Sequence, residues 1–315
     1  MRVLAFYREG SATRREDITA SAGLTIEDSG VAELDHGRLV GRRIGSTTAR
    51  ALFKGQFSEA TVEVGARVPG QRYEFLGGVR EVRALRFLGD DLLFTTASDT
   101  VTRIANGSLE TLSRLAMPRS AAYGLNLIGV DEALNVFVHS LWNSATYILR
   151  PSDGYQRFDQ LNFSAGTGGI ASFCQLPDHS YLFGAMDGTL LKSDDLVRFE
   201  TVFKLPTLLA SMTCSGDELF CVSGGARDGV YRLDLLRMVL EWWHGGISSP
   251  SDIASYGGDL LITDFHKGYL YRVHNLEETT CVAANLGNPT SLAVLPDGRA
   301  FVGEFSGDVV SVVTL

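Results

Sequence analysis

The stretch NPTSLAVLPDGRAFVGEFSGDVVSVVTL, residues 288–315, decides the fold. Three apolar runs, SLAVL, RAFVGEF and DVVSVVTL, are separated by Pro-Asp-Gly and Ser-Gly-Asp. Short β-favouring runs bounded by turn chemistry read as strands, and Asp-Gly between two of them reads as a hairpin. The chain is therefore predicted to end in a three-stranded antiparallel meander.

Working outward, the plan recurs. Residues 250–273, PSDIASYGGDLLITDFHKGYLYRV, give strand, Gly-Gly-Asp turn, strand, Lys-Gly turn, strand. Residues 207–235 and 168–193 repeat it, the latter with Leu-Pro-Asp at the same turn as Leu295-Pro296-Asp297. Residues 124–150 and 84–104 carry fainter copies, and residues 30–44 the faintest. A self-similar period of about 40–45 residues with four strands per period is the signature of a β-propeller. The expected fold is all-β: a seven-bladed β-propeller of four-stranded antiparallel blades. Six blades is the runner-up, should residues 29–68 not form a sheet.

The last repeat lacks a fourth strand. Residues 1–7, MRVLAFY, form a strand-like run with no blade upstream. They are expected to add to the last blade as its outer strand and close the ring. Residues 68–79, VPGQRYEFLGGV, read as an insertion between repeats. All 315 residues then fit one propeller domain.

Composition narrows the function classes. The net charge is −9, with the acidic excess in residues 118–315 and near balance in residues 1–117. An acidic ring is a poor non-specific partner for nucleic acid or an anionic membrane. No long uncharged apolar run suggests a spanning helix. Residues 1–7 are too short and too soon followed by charge to read as a secretory signal. The four cysteines, Cys174, Cys214, Cys221 and Cys281, form no C-x-x-C and have no histidine at zinc spacing. They read as buried free thiols, with a disulfide in one pair as the alternative, and the free-thiol reading points to a reducing, cytoplasmic location. The run SAGTGG at residues 164–169 lacks the lysine and helix of a phosphate loop.

In a propeller the inner strand of each blade lines a central channel, so the residues opening those strands ring one mouth. Aligned on the first turn, that ring holds Ser29, Arg83 or Glu81, Tyr123, Gly168, Thr207, Ser251 with Asp252, and Thr290. The strings PSDIASYGGDLLITD and PTSLAVLPDGRAFVGE resemble repeats of the NHL and senescence-marker (gluconolactonase-like) propellers. The resemblance is to the repeat pattern and is best over the last four repeats. It implies a divalent metal held at this mouth by carboxylate and asparagine side chains, the oxygen ligands a hard cation needs to polarise a carbonyl. Here the ring is mostly Ser, Thr, Gly and Tyr, with Glu81 and Asp252 its only carboxylates.

A second cluster comes from the ends of second strands: Asp264 in LITDF, Glu304 in FVGEF, His266 two residues on, and His139 in VFVHS. Such residues bind metals or exchange protons, and equally often they cap turns. Trp242 and Trp243 should point to opposite faces of an outer strand, one packed and one free as an aromatic anchor. With Trp142 they suggest carbohydrate or peptide recognition.

The leading expectation is a non-catalytic binding or scaffold module for a protein partner or small ligand, with no cofactor. The alternative is a metal-dependent lactonase, hydrolase or lyase at the channel mouth, requiring a divalent cation. Arg80, Arg83 and Arg86 fall at three-residue spacing, so alternation sends them to different faces. Arg83 is expected in the mouth. Arg86 is expected between blades with a carboxylate partner; the alternative for these arginines is a brace with Glu81, Asp90 or Asp91 and no ligand role at the mouth.

Overall fold

The computed structural model describes residues 4–9, 12–18, 21–35, 38–64, 69–105, 108–116, 124–163, 169–223, 229–274 and 278–315. The described residues are all-β apart from one 3-10 turn, Pro151–Asp153. It divides into two compact units where one domain was expected: Met1–Val68 with Ile104–Glu110, and Pro69–Arg103 with Thr111–Leu315.

Among the described residues, six four-stranded antiparallel sheets follow the repeats. Blade one begins with Ala84–Leu88, blade two with Leu125–Val130 and blade three with Ile170–Gln175. Blade four begins with Leu209–Ser215, blade five with Pro250–Tyr256 and blade six with Pro289–Val294. These inner strands touch in cyclic order, the sixth against the first, so the ring is closed. The tight turns are where the sequence placed them. Gly298, in the Pro-Asp-Gly turn of blade six, has φ 84°, a conformation only glycine adopts without strain.

Packing between blades explains the apolar runs. In blade two every residue of Val136–Ser140 and Ala145–Leu149 is buried, because neighbouring blades cover both faces of the sheet. The gap between blades two and three is filled by Phe137, Phe173 and Phe183, with Phe137 stacked on Phe173 at 4.4 Å between centroids.

The ring closes through a strand the sequence reading passed over. Arg72–Gly77 pairs antiparallel with Val309–Thr314 as the outer strand of blade six, with Arg72 opposite Val313. Leu4–Glu9 pairs instead with Ala12–Asp17 in a separate hairpin, so residues 1–7 are not the closing strand. The physical reason is proximity: Arg72–Gly77 lies just upstream of the first inner strand, and Phe75 packs edge-on against Phe301 at 5.0 Å.

The faintest repeat is not a blade. Its segments form a hairpin, Ala32–Asp35 with Arg38–Gly41, and a three-stranded sheet of Gly23–Ile26, Gly45–Phe53 and Gln56–Val64. Among the described residues, six four-stranded sheets therefore stand where seven were expected. Arg42 and Arg43 sit exposed beside Glu33 and Asp28.

The cysteines also depart from expectation. Cys174 and Cys214, on the inner strands of blades three and four, form a disulfide with Cα atoms 6.3 Å apart. Cys221 is a buried free thiol whose pKa burial pushes up, and Cys281 is free and exposed. Cysteine usage thus no longer argues for a reducing compartment.

Candidate functional site

One local device sets the geometry of the channel. In blades three to six the inner strand carries a bulge near its start: between Ile170 and Ser172, Leu209 and Ser211, Pro250 and Asp252, and Pro289 and Ser291. A bulge re-aims the side chain that follows it. In blades three to five it sends a short polar group, Ser172, Ser211 or Asp252, to a partner on the next inner strand, whereas Ser291 Oγ in blade six has no hydrogen-bond partner among the described residues. Ser172 Oγ accepts from Met212 N at 3.1 Å, and Asp252 Oδ2 accepts from Leu292 N at 2.8 Å, the same contact two blades on.

Asp252 gathers this layer. It is 3% exposed. Besides Leu292 N, its carboxylate accepts from Ser211 Oγ at 2.5 Å, its neighbour Ile253 N at 3.0 Å and Arg86 Nη1 at 3.0 Å. The carboxylate partner that Arg86 needed is therefore Asp252, in another blade, and not Glu81, Asp90 or Asp91. A buried carboxylate with four donors is a structural brace; it has little left to offer a metal at the mouth.

The mouth hydroxyls are similarly committed. Ser251 Oγ donates to Pro289 O at 2.6 Å, and Thr290 Oγ1 donates to Val82 O at 2.6 Å, each tying one blade to the next. Thr207 Oγ1 lies 2.7 Å from Ser223 Oγ. Ser29 belongs to the other unit. Tyr123 and Gly168 lie outside the described residues. Glu81 is exposed, on a left-handed backbone with φ 51°. Arg83 differs from these neighbours. Its guanidinium lies 5.7 Å from the Phe305 ring, and its Nε is buried with no hydrogen-bond partner.

Asp264 and Glu304 do occupy equivalent strand ends, but they do not converge on a shared point. Asp264 accepts from Ser248 N and Lys267 N, each at 3.0 Å, and so caps turns in blade five. Glu304 takes Arg72 Nη2 in both oxygens, at 2.7 and 2.9 Å, and also accepts from Gly287 N and Ser311 Oγ. His266 is exposed against Phe265. His139 is 2% exposed; its Nδ1 meets Thr146 Oγ1 at 3.0 Å, and desolvation lowers its pKa to about 4. Among the described residues, no group of three His, Cys, Asp or Glu is arranged to hold a metal ion.

The tryptophans split between the two faces of their strand. Trp243 packs edge-on to Phe220 at 5.6 Å, among residues of blades four and five, while Trp242 is 54% exposed. Trp142 is also exposed.

No family model matches the chain, and no curated protein matches it. Solved structures do. A gluconolactonase of Xanthomonas campestris aligns with TM-score 0.65 at 11% identity, over 78% of this chain and 89% of that one. An auxiliary nutrient binding protein of Bacteroides ovatus gives 0.62 at 12%, over 92% and 90%. A streptogramin B lyase gives 0.58 at 14%, over 85% and 86%. The likeness to gluconolactonase-like and lyase propellers is one of fold.

Proposed function

We propose that this protein is a non-catalytic binding propeller whose channel mouth receives an anionic group through Arg83. One contrast carries the reading. The candidate carboxylates Asp252, Asp264 and Glu304 are taken up by framework donors, whereas Arg83 keeps a buried donor without an acceptor. A buried unsatisfied donor costs about 1–3 kcal/mol, which an acceptor on a ligand would recover. Phe305 supplies an apolar face beside the charge. The occupant is an anionic small ligand or an acidic side chain of a protein partner.

The test is a thermal melt with citrate or inorganic phosphate added to the wild type and to Arg83→Met. Both anions should raise the melting temperature of the wild type. The variant should melt at or above the unliganded wild type and lose the response. Equal responses in both proteins would remove Arg83 from the site. The enzymatic alternative draws its support from the fold shared with a gluconolactonase and a lyase. Stoichiometric divalent metal that survives purification and disappears in Asp264→Ala would favour it.

A further inference from the structure

His139 is a buried imidazole that the framework uses on one side only. It lies on Val136–Ser140 of blade two and is 2% exposed. Its Nδ1 meets Thr146 Oγ1, on the paired residue of the next strand, at 3.0 Å. Its Nε2 has no hydrogen-bond partner among the described residues. Buried polar atoms are ordinarily satisfied, so a ring nitrogen left over in a blade interface asks for a partner.

Nε2 is aimed at the start of blade three. A Cβ on Gly169 would lie 2.9 Å from Nε2 and 3.6 Å from Met186 Sδ, so the imidazole and the thioether border one small space. Gly169 has φ 95°, which favours glycine, and so keeps a side chain out of that space. A methyl group there would crowd the ring, whereas a metal ion bonds to imidazole at about 2 Å. Both donors are held in place. Met186 N donates to Gly169 O at 2.8 Å, Leu209 N donates to Met186 O at 3.0 Å, and Thr146 orients the ring. The unbranched Met186 side chain is free to turn its sulfur toward an ion.

We infer that His139 and Met186 form a two-coordinate site for a soft monovalent cation, Cu(I). Softness argues for the metal: thioethers select Cu(I), while hard cations take oxygen ligands. Donor number agrees, since structural zinc sites use four ligands. Charge argues for a monovalent ion, because both donors are neutral and each added charge raises the cost of burial. Burial lowers the His139 pKa to about 4, so no proton competes at neutral pH. Binding selects the tautomer in which Nδ1–H donates to Thr146 Oγ1 and the Nε2 lone pair is free. The site shares no residue with the Arg83 mouth and does not depend on it.

The experiment adds silver nitrate to the intact protein in chloride-free buffer, with the exposed Cys281 capped by iodoacetamide and the methionine methyls labelled with carbon-13. Ag(I) stands in for Cu(I) and needs no reductant, so the Cys174–Cys214 bridge stays intact. One equivalent should shift the Met186 methyl and the His139 Nε2 resonance and leave the other methionine methyls in place. By calorimetry, Met186→Leu, which conserves volume, and His139→Gln should each weaken binding at least about tenfold. Zn(II) should move neither resonance. An unmoved Met186 methyl would overturn the site, as would undiminished affinity in Met186→Leu; a thioether that only packs against the ring gives that result. A Met186 shift that persists in His139→Gln would remove the imidazole from the site. If that variant does not fold, an unmoved Nε2 resonance in the wild type does the same. A Zn(II) response equal to that of Ag(I) would overturn the assignment to a soft cation.

Discussion

The sixth blade and the three-stranded sheet of the first unit share antiparallel pairing and differ in how many faces they bury. Every residue of Val309–Thr314 is buried, and so are five of the six in Arg299–Glu304. In Gly45–Phe53 only Thr47 and Ala49 are buried, and most of Gln56–Val64 is exposed. A blade sheet is covered on both sides, so its middle strands are continuous apolar runs. A sheet covered on one side alternates. The same difference governs charge. In the blade, Glu304 is buried and survives because Arg72, Gly287 N and Ser311 Oγ surround its carboxylate. In the first unit, Arg50 and Glu59 make an equally short pair at 2.6 Å, with both side chains about half exposed.

The sharpest way to break this comparison is to remove one member of each pair. Glu304→Ala should cost about 3–5 kcal/mol, because it leaves a guanidinium and two further donors without their acceptor inside a closed sheet. Melting should fall on the order of 10 °C. Glu59→Ala should leave the melting temperature unchanged within error, since water replaces the lost partner. Comparable effects in the two variants would mean that burial does not set the worth of these pairs.

Redox state gives a second contrast, because every cysteine lies in residues 174–281 and none in the first unit. Titration of thiols in denaturant should find two, Cys221 and Cys281, rising to four after reduction. The bridge spans 40 residues of sequence, so Cys174→Ser with Cys214→Ser should cost about 2–4 kcal/mol. Four thiols before reduction would restore the reading of cysteines as free.

Why part of this was legible in the sequence follows from the same burial argument. Residues 168–315 announce their strands because two-sided burial demands unbroken apolar runs and tight hairpins demand Asp-Gly or Gly-Gly. Arg72–Gly77 carries no such mark. It is an outer strand, exposed at nearly every position, so nothing in RYEFLG compels a strand until blade six is seen to lack one. The site was harder still. Arg86 and Asp252 are 166 residues apart, and Arg72 and Glu304 are 232 apart. A carboxylate at an inner strand looks the same in sequence whether it faces a metal or a guanidinium. One signal was present: a polar residue recurs after the bulge, as Ser172, Ser211 and Asp252, and marks the layer of interblade hydrogen bonds.

His139 tests the rule from its other side, as a titratable group that a blade buries without a carboxylate. Its ring touches Thr146 Oγ1, and a Cβ at Gly169 would lie 2.9 Å from its Nε2, so the pocket is tight as well as dry. Burial lowers its pKa from 6.5 to about 4 in the folded protein. Between those values the unfolded chain takes up a proton that the folded chain refuses. Stability is then complete above about pH 6.5, declines as pH falls toward 4, and levels off below that. The loss from pH 7 to pH 4.5 should be roughly 2–3 kcal/mol from this residue alone. Most carboxylates still titrate below that window. Urea midpoints of the wild type and His139→Gln at the two pH values isolate the effect, because glutamine keeps a neutral polar side chain with nothing to titrate. The variant should be less stable at pH 7 yet lose much less on acidification. A wild-type midpoint as insensitive to pH as the variant's would mean that the imidazole is solvated, and that the faces of this blade are less well sealed than those of the sixth.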